Sequence, residues 1–406
     1  MTGMKEERKN KGNVPNLRFP EFEGEWEVTF LGNECTVNPK VSTLESEFVY
    51  VDLESVVKGV LISTNHINRS EAPSRAQRVL SDKDILFQCV RPYQLNNYIY
   101  HRQGSKQWVA STGYAQIRTK HNIDFLYQLL NSPQFNQEVM LRCTGTSYPA
   151  ISGTDLGNIP ISICSNEEQK KIGGLLFRID DQIATQSKII EGLKELKAWL
   201  SKQLFSRKLR FKDDDGADFP EWKTQLLGNV TMVVSERNKN NEKLPVYSIN
   251  NKDGFVPQNE QFEGIDSDDR GYDIKLYKVI NKHTFAYNPA RINVGSIGYS
   301  GNLENIIISS LYVCFKTQDS INDNFLFHFF KTNSFNKEVL KNVEGGVRDY
   351  LFYENFSKIR FEQPCMEEQG KITDFLSSYD YKIRIESKVL QQLEIQKKYL
   401  LKQMFI

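Results

Sequence analysis

Residues 167–206 read EEQKKIGGLLFRIDDQIATQSKIIEGLKELKAWLSKQLFS, and residues 367–406 read EEQGKITDFLSSYDYKIRIESKVLQQLEIQKKYLLKQMFI. The two stretches align without a gap at an offset of 200, and sixteen of the forty pairs are identical. Glu167, Glu168, Gln169, Lys171, Ile172, Leu176, Asp180, Ile183, Ser187, Lys188, Leu193, Lys197, Leu200, Lys202, Gln203 and Phe205 all recur in the second copy. Composition alone gives roughly two or three such matches. In both copies apolar residues return at intervals of three and four: Ile172, Leu176, Ile179, Ile183, Ile190, Leu193, Leu196, Leu200 and Leu204, then Ile372, Leu376, Tyr379, Ile383, Leu390, Leu393, Leu400 and Met404. So narrow a stripe is the seam of a coiled coil. Its candidate members are Ile172, Leu176, Ile183, Leu193 and Leu200 with their copies Ile372, Leu376, Ile383, Leu393 and Leu400. Gln186 and Glu386 interrupt the stripe at the same place, a polar defect of the kind that fixes register at a cost in stability. Forty helical residues span about 60 Å. With a globular half between them, the two helices are expected to pair antiparallel and to place the halves at opposite ends of a rod.

The offset of 200 continues upstream, where Asn122, Phe125, Leu126, Phe135, Asn136, Glu138, Val139, Gly145 and Ile159 all have partners of the same type. The chain is therefore a tandem duplication. Each half also opens alike: Phe19-Pro20-Glu21, then Trp26 with Leu31-Gly32-Asn33; and Phe219-Pro220-Glu221, then Trp222 with Leu227-Gly228-Asn229. Short β-type runs bounded by turn residues follow at 47–52, 85–90, 98–101 and 114–118, and at 245–250, 284–287, 306–310 and 311–316. Residues 124–141 and 323–341 each read as a helix packing on the sheet through Phe125, Leu129, Val139 or their partners. The expected class is α+β: two pseudo-symmetric mixed α/β domains separated by two long helices in an antiparallel coiled coil. The expected boundaries are a tail at 1–13, a first globular half at 14–165, a helical spacer at 166–212, a second half at 213–365 and a second spacer at 366–406. Arg207 to Lys212, followed by Asp213-Asp214-Asp215-Gly216, reads as a solvated charge run linking helix to second half.

A chain of 406 residues with 12% aromatic and 25% charged residues has the composition of a soluble globular protein of two domains. It holds no run of about 18 apolar residues able to span a bilayer. The polar start, Met1 to Lys11, does not resemble a signal peptide. Cys35, Cys89, Cys143, Cys164, Cys314 and Cys365 are scattered without a C-x-x-C pair, against a zinc site or a disulfide framework. A reducing cytoplasm is the expected location. The net charge of +1 excludes a crude polycation but not segregated basic faces.

Signatures of catalysis are missing. The chain has neither G-x-x-x-x-G-K-[ST] nor a G-x-G-x-x-G after a strand. A base methyltransferase would need an Asn-Pro-Pro-aromatic type loop, and the nearest strings are Tyr287-Asn288-Pro289-Ala290 and Val90-Arg91-Pro92-Tyr93. His66, His101, His121, His283 and His328 stand alone in sequence and read as surface or packing residues. What remains is a bilobed binding protein with similar scaffolds and different loops. Two related readers at a fixed distance suit DNA, whose major groove returns to one face about every 34 Å.

The chain resembles the specificity subunits (HsdS) of type I restriction-modification enzymes over nearly its whole length. The resemblance rests on the doubled Glu-Glu-Gln-x-Lys-Ile, the doubled Phe-Pro-Glu and Trp-x-x-x-x-Leu-Gly-Asn, Asp84-Ile85-Leu86-Phe87 before Val90-Arg91-Pro92-Tyr93, and Gly145-Thr146-Ser147 before Ile159-Pro160-Ile161. It implies two target recognition domains joined by helical spacers that set the gap in a bipartite DNA target. It implies a non-catalytic subunit that binds double-stranded DNA, two methyltransferase subunits and two restriction/translocase subunits. S-adenosylmethionine, ATP and Mg are then expected on those partners and none on this chain. Lys170 facing Gly370 in the repeat implies that the two partner contacts are unequal.

Groove reading needs donors and acceptors on loops. The first half offers Gln88, Arg91, Tyr93, Gln94, Asn96 and Asn97 on one loop and Thr144, Thr146 and Ser147 around Gly145 on another. The second half offers Arg291, Asn293, Ser296, Tyr299 and Asn302, and Arg348 beyond Gly345-Gly346. The competing reading is a coiled-coil scaffold that joins two protein partners without DNA contact. A free-standing methyltransferase or nuclease is disfavoured by the missing motifs.

Overall fold

The computed structural model describes residues 12–40, 43–252, 254–258, 273–343 and 350–406. The chain divides into two compact units, residues 1–188 with 387–406, and residues 189–386.

In the first unit a short ribbon pairs Glu27–Phe30 antiparallel with Pro160–Ile163. One four-stranded sheet has the order Asn65–Asn68, Glu47–Val51, Trp108–Ser111, Ala76–Val79. The other has the order Cys35–Val37, Tyr114–Thr119, Ile85–Gln88, Tyr98–Ile99. The second unit repeats this plan. Lys223–Leu226 pairs with Arg360–Gln363. Its sheets run Gly254–Pro257, Val246–Asn250, Ile306–Ile308, Lys278–Ile280 and Thr231–Val234, Val313–Thr317, Phe285–Tyr287, Ile297–Tyr299. Among the described residues each unit has one parallel pairing, and it is shared, Val109 with Tyr50 and Ile308 with Tyr247. Central strands such as Ile85–Gln88 and Ile306–Ile308 are buried along their whole length, which explains why they read as continuous apolar runs rather than alternating ones.

The stretches read as single helices at 124–141 and 323–341 are each two. Ile123–Leu130 and Pro133–Arg142 are separate in the first unit, Asp323–Phe329 and Asn333–Asn342 in the second. The break is written in capping chemistry. Asn122 and Ser132 accept from the backbone N–H of Phe125 and Phe135, and Asn322 and Thr332 do the same for Phe325 and Phe335. A side-chain oxygen at each N-cap satisfies a donor that the new helix leaves open.

The long helices run Asn166–Phe205 and Met366–Met404. In the first unit Ile172 and Leu176 share a core with Leu401, Met404 and Phe405, while Asp180 pairs with Lys397 at 2.5 Å. Ascending numbers meet descending ones, so the two helical stretches are antiparallel there. In the second unit Leu204 shares a core with Ile372 and Leu376, and Lys197 pairs with Asp380 at 2.5 Å, again antiparallel. The seam is uneven. Ile172, Leu176, Leu200, Ile372 and Leu376 are buried, whereas Ile183, Leu193, Ile383, Leu393 and Leu400 are only half-buried. Leu196, in the same periodic stripe, is 43% exposed. In the second helix the buried C-terminal positions are Leu401 and Met404 rather than Leu400.

Each unit closes on an aromatic cluster and a charged clasp. Phe405 packs on Trp26 and Phe125 with ring centroids 6.4 and 5.4 Å away; in the other unit Phe205 packs on Phe325 at 5.4 Å, which packs on Trp222. Above the cluster, Arg18 donates to both carboxylate oxygens of Glu168 at 2.8 Å, and the Trp26 indole N–H donates to the same carboxylate at 3.3 Å. Arg210, Glu368 and Trp222 repeat the clasp at 3.1, 3.0 and 2.9 Å. Leu17 N–H donates to Gln403 O and Leu209 N–H to Gln203 O. The structural counterpart of Leu17-Arg18-Phe19 is thus Leu209-Arg210-Phe211, inside the segment read as a solvated charge run. That reading fails at Arg210, whose partner lies 158 residues away.

Candidate nucleic-acid interface

In the first unit the strand Ile85–Gln88 delivers the chain into a loop held from within. Gln88 is 2% exposed. Its amide donates to Val90 O and Gln94 Oε1, and its carbonyl accepts from Asn96 N–H. Asn97, 1% exposed, accepts from Gln88 N–H and donates to Asn131 Oδ1. Asn96 Oδ1 accepts from Lys58 N–H. Gln88 and Asn97, expected as DNA contacts, are therefore internal braces, and their polar atoms are already engaged. The braces hold an uncommon backbone: Arg91 and Leu95, on either side of the turn Pro92–Gln94, have φ of 55° and 53°. Left-handed conformations in non-glycine residues cost of order 1 kcal/mol each and persist where surroundings over-determine them.

The second expected loop is brought against the first. Arg91 N–H donates to Pro149 O, Ile151 N–H to Cys89 O, and Thr144 and Ala150 exchange backbone bonds across the turn. The Arg91 guanidinium lies over the Tyr148 ring, 4.3 Å from its centroid. Gly145 has φ of +88°, so it is required by the turn itself. Thr144, Thr146, Ser147 and Tyr148 are exposed, as is Tyr93 at 55%.

Residues from elsewhere in the sequence complete the site. An open cleft of about 770 Å³ is lined by Arg91, Gln94, Asn96 and Tyr148 together with Glu54, Arg75 and Thr112. Reading along the chain missed Glu54, Arg75 and Thr112. They come from three separate segments that only the sheet order gathers, and no local pattern marks them. Arg75 and Arg91 form no ion pair among the described residues, and Arg91 lies over an aromatic ring, a combination suited to phosphates and base edges.

The second unit places its candidates less uniformly. Arg291 is exposed ahead of the turn Ile292–Val294, which ends on Gly295 with φ of 90°. Asn293 is half-buried and Asn302 exposed. Ser296 is 1% exposed and bonded to Ile249 O, so it too braces the loop. Tyr299 stacks on Phe285 at 4.6 Å and donates to Asp323 Oδ2 at 2.6 Å. Burial first, and then the Asp323 carboxylate, push its phenol up. Tyr299 therefore faces the core side of its sheet. Arg348 lies outside the described residues. Among the described residues no group of three or more His, Cys, Asp or Glu could hold a metal ion, and no helix is long and apolar enough to cross a membrane.

A family model described as the type I restriction modification DNA specificity domain matches residues 5–195 and 224–395. The chain belongs to that family. It is an HsdS-type specificity chain, and its task is of the class of DNA target recognition in restriction-modification systems. Among similar proteins, the type I restriction enzyme MjaVIII specificity subunit of Methanocaldococcus jannaschii is 24% identical over 416 aligned positions, covering 96% of this chain and 93% of that one. The MjaIX specificity subunit of the same organism is 22% identical over 309 positions, 68% of this chain and 69% of the relative. Among solved structures, the S subunit of a type I restriction-modification system from M. genitalium superposes with a TM-score of 0.56 at 16% identity, covering 97% of this chain and 99% of that one. A chain from a type I R-M system studied for its assembly and conformational transition gives 0.57 at 20% identity, with 93% and 96% covered. These likenesses bear out two mixed α/β domains with long helices.

Proposed function

We propose that this chain reads a DNA target in two parts, one part with each unit, and presents it to methyltransferase and restriction subunits without itself catalysing a reaction. The observation that carries the reading is duplication with divergence. Both units share strand order, caps, clasp and the turn after the central strand, while the loop side chains differ almost throughout. A conserved scaffold with unlike loops suits two readers of unlike sequences. The cleft of the first unit, with Arg75, Arg91 and Tyr148 at its wall, supports the reading. In this proposal two methyltransferase and two restriction/translocase subunits bind the chain in the cytoplasm. They, rather than this chain, supply S-adenosylmethionine, ATP and Mg. The long helices set the interval between the two parts of the target.

Duplex affinity measured over a salt series tests the reading. Phosphate contact releases counterions, so affinity must fall steeply as salt rises. Salt-independent or absent binding by the complex assembled with its methyltransferase subunits would favour a scaffold that joins proteins without touching DNA.

A further inference from the structure

We propose that Arg91 and Arg291 grip the phosphate backbone, one in each unit, and read no base. This inference rests on the DNA-reading role proposed above and divides that role between residues. At the offset of 200, the loops 88–97 and 288–297 have one residue type in common, arginine at 91 and 291. The backbone around it is repeated. Gln94 N–H donates to Arg91 O at 3.1 Å and Val294 N–H to Arg291 O at 3.2 Å. Leu95 N–H donates to Pro92 O and Gly295 N–H to Ile292 O, both at 3.0 Å. Residues 95 and 295 are both left-handed. Behind the turn, Ile151 N–H meets Cys89 O and Leu351 N–H meets Pro289 O, both at 3.1 Å. Arg91 and Arg291 themselves differ in φ, 55° against −139°, so what the units share is an arginine as the residue that opens the turn.

Two readers of different sequences share only the part of the task that is independent of sequence. On DNA that part is the phosphate backbone; contacts to base edges differ wherever the bases do. The positions flanking the arginine vary as base-reading positions should: Tyr93 against Asn293, Gln94 against Val294. Arg91 is also prepared for an oxyanion. Tyr148 covers one face of its guanidinium, and no carboxylate among the described residues pairs with it. Its N–H edge is thus left for a fork-like contact with two phosphate oxygens.

The test uses the chain assembled with its methyltransferase subunits and compares wild type with Arg91→Ala, Arg291→Ala and the double variant. Affinity is measured for a target duplex and a scrambled duplex between about 50 and 200 mM salt, and methylated sequences are mapped. Each single substitution is expected to weaken both duplexes by the same factor and to lower the slope of log affinity against log salt by about 0.9, which is about three- to fourfold across that range. The methylated sequence should stay unchanged. The double variant should lose about twice the slope, and melting temperatures should hold because neither side chain is part of a core. A relaxed preference at one base, with scrambled-duplex affinity and slope intact, would overturn the proposal in favour of base reading. Unchanged affinity for both duplexes, in a wild type whose own binding is salt-dependent, would overturn it while leaving DNA recognition standing. A wild type without salt-dependent binding would instead sink the reading on which it rests.

Discussion

Glu168 is a carboxylate with a 1% exposed side chain, held by a bidentate arginine and an indole N–H. Burying such a group is tolerable only while its partners stay, because the desolvation penalty is several kcal/mol per ion. Glu168→Ala should therefore cost about 3–5 kcal/mol, read as a shift of the urea midpoint. A loss below about 1 kcal/mol would mean that the clasp behaves like an exposed pair. The Glu-Glu-Gln repeat was legible as a repeat, but its purpose was not. Arg18 and Glu168 are 150 residues apart, and Arg210 sits in a run of charges that resembles any solvated linker. Departures from the repeat are informative as well. Gln128 donates to Asp180 at 2.7 Å in the first unit, whereas the second unit has His328 at that position, buried near Lys197, Lys331 and Asp380. Burial, reinforced by the lysine cations, pushes His328 down to about 3. Below about pH 6.5 the unfolded imidazole takes up a proton that the folded one refuses, so stability decreases as the pH falls from about 6.5 towards about 3. The slope is at most about 1.4 kcal/mol per pH unit. His328→Gln should flatten the difference in unfolding free energy between pH 7 and pH 5. An unchanged slope would mean that this imidazole is accessible to protons in the fold.

At the scale of elements, the helices were the easiest feature to read, since a three-and-four stripe needs no tertiary knowledge. Their burial was harder. The ends of each helix, at Ile172, Leu176, Ile372 and Leu376, enter domain cores, whereas Ile183 and Leu193, nearer the middle, are only half-buried. Leu176→Ala should cost about 2–5 kcal/mol, the range for a core leucine. Leu193→Ala should cost clearly less, and equal losses in thermal unfolding would mean that the seam is packed uniformly. The helix break at Ser132 was missed because the apolar pattern of 124–141 continues across it, whereas the cap and Pro133 decide the backbone. If the helices set the interval between the two parts of the target, four residues inserted after Glu191 and again after Gln391 lengthen each helix by about 6 Å. That is close to two base-pair steps of about 3.4 Å. The methylated sequence should then keep both specific parts and widen its gap by about two base pairs, provided the complex still assembles. An assembled, active variant with the original gap would take the ruler away from the helices.

At the scale of the whole molecule, the duplication visible at an offset of 200 already contained the architecture, and the structure adds that the two units repeat the same ribbon and the same two four-stranded sheets, to which the first unit adds the hairpin Val56–Val57 with Val60–Leu61. The candidate site was half legible. Loops rich in arginine, amide and hydroxyl groups could be chosen by composition, yet Gln88, Asn97 and Ser296 turned inward as braces, and Arg75 and Glu54 joined from distant strand ends. Whether a polar side chain braces a loop or leaves it depends on neighbours that sequence order does not supply. The central claim is that each unit reads its own part of the target. It is tested most directly by replacing residues 14–165 with the corresponding domain of a relative and mapping methylated bases across a genome that carries the variant with its methyltransferase subunits. The account predicts that one part of the methylated sequence changes to that of the donor, while the other part and the gap persist. A complex that assembles and methylates but alters both parts together, or neither, would contradict it.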